Sequence, residues 1–493
     1  MTAPQSLAQL ADMDGRRSLD HLLLAITGGY VVAAWIGLPL YGDGAYYWFK
    51  LAADESFVVP NLRVGAVLPQ LPGMLMTVFT DDAVLLRHGF SLGYVALPVL
   101  SLLACWLIVR RAAPALLLFP LLWLAVHQIN FSGVSELLTA AHLAWPFVLA
   151  AVLWPASRAV RGYGWFLGAI YVVLHPMACV PALALAGLAA WLGWRVPGAT
   201  WRSHASGRQA ALRWAWLELA AWLLVSGLVR LGWTVAGANR YERANLAGDG
   251  ALHYLLPATP AQGLLLAVAL LIGLLAAAAL LRCPEHRARA MLLRLDWWLG
   301  WLLAGLVVLA AWVGGELLLG QGIKLKAALT FVAALLLMAL AAVSGRVLSA
   351  RAAPPPATAR AQACSVPVGW LAAPATAVLI LLAAKCAGWW LATNELGRIV
   401  AEADRPCIAH TAEEPSSLQW RWMVLVDEWP VGINALAFRP RAPAAPEVSL
   451  LLPNDGCDVL EATGEARLQS WIVRPWTQLD ARFGPLRRLP DWR

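Results

Sequence analysis

Residues His21–Leu40, HLLLAITGGYVVAAWIGLPL, form a nearly unbroken apolar run, and the next ten, YGDGAYYWFK, interrupt it with two glycines around one carboxylate, Asp43. About twenty apolar residues make a helix long enough to cross a bilayer, so the interruption reads as a membrane-edge turn. Composition extends this to the whole chain. Of 493 residues 60% are hydrophobic and 13% charged, and mean hydropathy is +0.64, values wrong for a soluble domain. A net charge of +8 with pI near 9.3 would suggest nucleic acid in a soluble chain. Here the arginines gather in short connections, where they set topology, and the reading includes no nucleic-acid partner. Many of the 27 tryptophans fall near segment ends, as headgroup-level anchors do.

Further apolar windows at 92–109, 114–126, 137–154, 163–174, 177–194, 214–236, 262–281, 297–319, 327–344 and 368–391 bring the expectation to about eleven spans. The polar N-terminus carries Arg16 and Arg17 with no small-residue cleavage pattern after the first run, so that run is a membrane helix and not a removed signal. With the N-terminus cytoplasmic, alternate connections hold Arg110 and Arg111, Arg158 and Arg161, Arg195 to Arg213, Arg282 to Arg294, and Arg346 to Arg360. The opposite connections hold Asp43, Asp54 and Glu55, His127 and Glu136, His175, Arg240 and Arg243, and Lys324. This bias follows the positive-inside rule, and it argues against a channel or exporter with polar groups strung through the midplane.

The expected fold is an all-α polytopic membrane domain over 1–391, whose first outer loop, 41–85, carries interfacial helices. A small α+β domain, 392–493, follows on the periplasmic side of a bacterial inner membrane. In this tail SLQWRWMVLVD and EVSLLLP read as strands, with Asn454-Asp455-Gly456 turning EVSLLLP back onto CDVLEA as a hairpin. The seven cysteines include no CxxC. Only Cys407 and Cys457 lie in the tail, where an oxidising compartment permits a bridge, and bridged and free forms both stay open.

Residues with chemical potential collect on the outer side. A carboxylate beside hydrocarbon is costly unless solvated, paired or used, which singles out Asp43. The flanking glycines allow close backbone approach, while Tyr46, Tyr47 and Trp48 suit an interfacial aromatic belt. The stretch DGAYYWFKLAADESF has a helical pattern with Asp54 and Glu55 on its wet face, and Arg63 beyond it is a phosphate ligand or a headgroup contact. A second outer connection, AVHQINFSGVSELLTAAHLAW, is dense in polar groups, including His127, Glu136 and His142. Glu136 and His142 are six positions apart and do not form an i, i+4 metal pair, so no metal site is assigned. His175-Pro176 is a helix break that is either a hinge or part of a site.

This arrangement resembles the GT-C class of integral-membrane glycosyltransferases. The likeness rests on a first helix running outward, an acid directly after it in GDGAYY, a long first outer loop, many short-looped helices and a C-terminal extracytoplasmic domain. It implies a polyprenyl-phosphate sugar donor, a glycan, lipid or protein acceptor, and Asp43 at the position of the catalytic base. One departure is Gly44, where many relatives have a second acid, which leaves a divalent cation open. Beside the resemblance, such chemistry needs a base, cations for a leaving phosphate and an apolar groove. Asp43 is the base candidate with Glu136 second. Arg63, Tyr46, Tyr47, His127, His175, Arg240, Arg243 and Lys324 are candidates for binding substrate and phosphate. The alternatives are a polysaccharide polymerase or ligase, and a non-catalytic transporter or envelope scaffold.

Overall fold

The computed structural model describes residues 7–60, 63–129, 134, 136–195, 207–237, 243, 371–410, 430–439, 447–453 and 455–488. Helices α1 (Leu7–Trp35), α2 (Asp43–Asp54), α3 (Val67–Thr77), α4 (Ala83–Val109), α5 (Leu118–Ile129), α6 (Glu136–Leu153), α7 (Arg158–Val173), α8 (Cys179–Arg195), α9 (Gly207–Gly237) and α10 (Ala372–Glu402) make up its helical body.

Eight of the eleven apolar windows fall on described residues, the last of them from residue 371 onward, and each is largely helical. Six helices among the described residues are long and apolar enough to span a membrane: Arg17–Trp35 of α1, α4, α6, Pro176–Trp194, Gln209–Gly237 and Pro374–Glu402. The window at 114–126 becomes a short turn and the 12-residue α5, and that at 163–174 falls in the 16-residue α7. At 1.5 Å per residue these reach about 18 and 24 Å, short of the roughly 30 Å hydrocarbon core. The windows at 262–281, 297–319 and 327–344 lie outside the described residues.

Large apolar side chains stand outward on these helices, among them Leu24, Trp35, Leu100, Leu107, Val235 and Trp390. Water would penalise such a surface, whereas lipid tails solvate it. Not every tryptophan stands at the surface, as an anchor would. Trp48, Trp123, Trp145, Trp216 and Trp389 are fully buried, because an indole fills interior volume that shorter side chains would leave as voids.

Helices α3 and α4 form a close hairpin. A Cβ on Gly93 would lie 2.0 Å from the Pro69 carbonyl oxygen, and one on Gly73 would lie 2.9 Å from the backbone of Phe90. Against α3 the preceding loop is fixed by buried Gln70, whose Oε1 accepts from the Val58 amide at 3.0 Å and whose amide donates to the carbonyls of Val58 and Ala66, each at 2.8 Å. One side chain thereby satisfies three backbone groups in the connection between α2 and α3.

After α10 come β1 (Cys407–His410), α11 (Val431–Ala437), β2 (Leu450–Pro453), α12 (Gly456–Thr463), β3 (Glu465–Gln469), β4 (Ile472–Pro475) and α13 (Trp476–Phe483). Strand β2 pairs in parallel with β1, Cys407 opposite Leu450, while β3 and β4 form an antiparallel hairpin. The hairpin expected at Asn454-Asp455-Gly456 is absent, because CDVLEA forms α12. Gly456, Cys457 and Leu460 face inward there, a helical spacing and not a period of two. The segment SLQWRWMVLVD lies outside the described residues. Cys407 and Cys457 are joined by a disulfide, tying β1 to α12.

Candidate functional site

Asp43 opens α2, and its side chain is exposed. The turn that presents it needs glycine twice. Gly42 has φ 61° and ψ −128°, a region closed to side chains with a Cβ. At Gly44 a Cβ would come within 1.7 Å of the Pro39 carbonyl oxygen. The close approach at Gly44 is therefore to the chain itself. A carboxylate in the first turn of a helix also interacts favourably with the aligned peptide dipoles.

One turn along the same face, the Tyr47 hydroxyl donates to Glu136 Oε1 at 3.1 Å. Glu136 is the first residue of α6 and is buried, and its Oε2 lies 3.8 Å from Arg63 Nη1. Three chain segments thus meet at one carboxylate: α2, the loop pinned by Gln70, and α6. Burial first, then the negative charges of Glu136 and Asp43, raise the Tyr47 hydroxyl well above its usual pKa, so it is a neutral donor across the physiological range. Tyr94 of α4 feels the charges of the same two carboxylates. Tyr46 is half-buried, its ring edge-on to Tyr47 with centroids 6.2 Å apart.

The other side of α2 meets the C-terminal segment. Trp48 and Phe49 pack on Phe483 of α13. Arg474 donates to both Asp54 oxygens, at 3.0 and 2.7 Å, and Lys50 also pairs with Asp54. Arg482 binds the Ala52 carbonyl and pairs with Asp81 at 2.6 Å and Glu55 at 3.4 Å. The expectation that Asp54 lies on a wet face is thus corrected. Most of α2 is buried, and on the side of Trp48, Phe49 and Asp54 the cover comes from the far end of the chain.

The remaining predicted site residues disperse. His127 and His142 are buried inside the helix bundle. His175 caps the turn Pro176–Ala178, Nδ1 accepting from the Met177 amide at 3.1 Å. Arg243 is exposed, and Arg240 and Lys324 lie outside the described residues. Among the described residues no group of three or more His, Cys, Asp or Glu side chains could hold a metal ion.

Sequence reading missed Arg474 and Arg482, whose partners are more than 400 positions away. It also missed Lys385, buried in α10, although a lysine within the apolar window 368–391 was a legible signal. With Arg230 buried in α9, Lys385 places an ionisable group inside a membrane-length helix, which a reading of charges in the connections alone does not include.

No family model matches this chain, and neither a curated protein nor a solved structure matches it.

Proposed function

We propose that this protein is a membrane glycosyltransferase that moves a sugar from a polyprenyl-phosphate donor to an envelope glycan, lipid or protein acceptor at the periplasmic face of a bacterial inner membrane. The observation that carries the reading is the pairing of one exposed carboxylate, Asp43, with a buried one, Glu136, already engaged by Tyr47 and Arg63. The two acids have different environments and hence different roles. Asp43 is the base, open to an acceptor hydroxyl. Glu136 is a positioning residue that holds α2 and Arg63 in register.

In the step itself Asp43 takes the acceptor hydroxyl proton as the hydroxyl oxygen bonds to the anomeric carbon. The bond from that carbon to the donor phosphate oxygen breaks, its electron pair leaving on the polyprenyl phosphate, and the anomeric configuration inverts. Asp43 then releases the proton to water. Arg63, at the rim of this cluster, supplies positive charge near the departing phosphate.

Replacing Asp43 by Asn removes the base while keeping size and hydrogen-bonding capacity. Membranes carrying that variant at wild-type abundance should form product at least about a hundredfold more slowly, the usual scale for a general base. Product formed at the wild-type rate would refute the assignment.

A further inference from the structure

Beside the Asp43–Glu136 cluster, within the helix bundle, lies a second polar site. A cavity of about 40 Å³ is lined by Tyr30, His127, Gln128, Thr139, His142 and Lys385, drawn from α1, α5, α6 and α10. All six are at least nine-tenths buried. Tyr94 and Pro39 line it too. Tyr94 feels the charges of Asp43 and Glu136, and the Pro39 carbonyl is the atom against which Gly44 packs, so cavity and cluster adjoin.

The donors in this cavity are organised. Lys385 Nζ donates to Gln128 Oε1 at 3.3 Å, and Gln128 Nε2 donates to the Tyr30 oxygen at 2.7 Å. With its oxygen accepting that bond, Tyr30 still carries its own O–H as a donor. His127 stacks on Trp123 and meets the His142 ring edge-on, centroids 5.2 Å apart. Neither of its ring nitrogens has a hydrogen-bond partner, although the residue is buried. A buried imidazole left so is an exception that calls for an occupant.

The charge of that occupant follows from the lining. None of the described lining residues is acidic, and an ammonium group there repels a cation. An anion instead suits an ammonium group and offers acceptors to Lys385, Tyr30 and the N–H of His127, residues of α10, α1 and α5 that line the cavity. The volume suits about three waters, or one tetrahedral group in their place. We infer that this cavity binds a phosphate-class oxyanion. Only the use of a prenyl phosphate as one probe rests on the transferase reading.

The test uses the full chain in lipid nanodiscs with inorganic phosphate and farnesyl phosphate as probes, and farnesol and chloride as controls. Wild type should bind at least one phosphate probe, with affinity lowered about tenfold or more in Lys385→Met and retained in Lys385→Arg. Binding of both probes assigns a free ion, and binding of farnesyl phosphate alone assigns a lipid headgroup. His127→Phe keeps a flat ring against Trp123, removes both nitrogens, and should weaken the same probe several-fold. It carries the test if Lys385→Met does not fold. Asp43→Asn should bind the probes like wild type while forming no product, so failure of the transferase reading and failure of this site are separable. Phosphate probes that bind no better than farnesol and chloride would overturn the inference. So would folded Lys385 and His127 variants that bind like wild type.

Discussion

Tyr47→Phe deletes one hydroxyl from the junction of α2 and α6 and leaves the ring in place. The Tyr47 hydroxyl is 3.1 Å from a buried carboxylate oxygen of Glu136, whose other oxygen is 3.8 Å from Arg63. A hydrogen bond to a charged group contributes about 1.5–3 kcal/mol. Arg63 remains nearby, so the variant should lose about 2 kcal/mol and not the larger penalty of a stranded charge. Glu136→Gln weakens the same contact from the other side. The double variant should therefore cost less than the sum of the singles by about 1 kcal/mol, beyond the few tenths expected of independent sites.

A pH arm checks the direction. Because the folded-state pKa of Tyr47 is raised by burial and by two carboxylates, its contribution is fully present below about pH 10, the unfolded value. Above that, the unfolded chain loses a proton that the folded one keeps, so stability falls as pH rises toward the folded pKa. Phenylalanine has no such dependence, and the gap between wild type and Tyr47→Phe should narrow by up to about 1.4 kcal/mol per pH unit above 10. Equilibrium unfolding in mixed micelles, followed by tryptophan fluorescence at several pH values, measures both quantities. A loss below about 0.5 kcal/mol, strict additivity with Glu136→Gln, or a gap that stays constant above pH 10 would refute the reasoning.

Gly44→Ala puts a methyl group 1.7 Å from the Pro39 carbonyl oxygen, where real Cβ contacts essentially never fall under 3.0 Å. The first turn of α2 must shift by about 1 Å to relieve it, and product formation should drop about a hundredfold; wild-type activity in a steady-state assay would count against a built turn around Asp43. Arg474→Ala removes the two-oxygen contact to Asp54 between half-buried partners. It should cost about 1 kcal/mol and speed proteolytic cleavage after α10, and unchanged digestion would show that the C-terminal segment is held by its apolar contacts alone.

Where sequence reading succeeded and failed has a common cause. The helix beginning at Asp43 and the helices in the described apolar windows rest on local signals, whereas the bridge between Cys407 and Cys457, 50 positions apart, was left open by the sequence and decided by the structure. The hairpin at Asn454-Asp455-Gly456 failed because an Asp-Gly pair serves a helix start as well as a turn, and only the inward faces of Gly456, Cys457 and Leu460 decide between them. Asp54 was misjudged because amphipathic spacing shows which face is polar but not what covers it. At Lys385 a single charge barely changes the hydropathy of its apolar window, so only packing shows that it is buried.

By itself the sequence determined that this is a chain of apolar, membrane-length helices, with a lone carboxylate directly after the first and a less apolar tail at the end. These are properties of composition summed over windows of about twenty residues, and transfer from water to lipid depends on little else. Only the tertiary structure decided that Tyr47 and Arg63 converge on Glu136, that Arg474 crosses 420 positions to reach Asp54, and that Lys385, His127 and Tyr30 face one cavity. Hydrogen bonds and ion pairs act over a few ångströms, so their partners are set by how helices pack and not by anything in the neighbouring sequence.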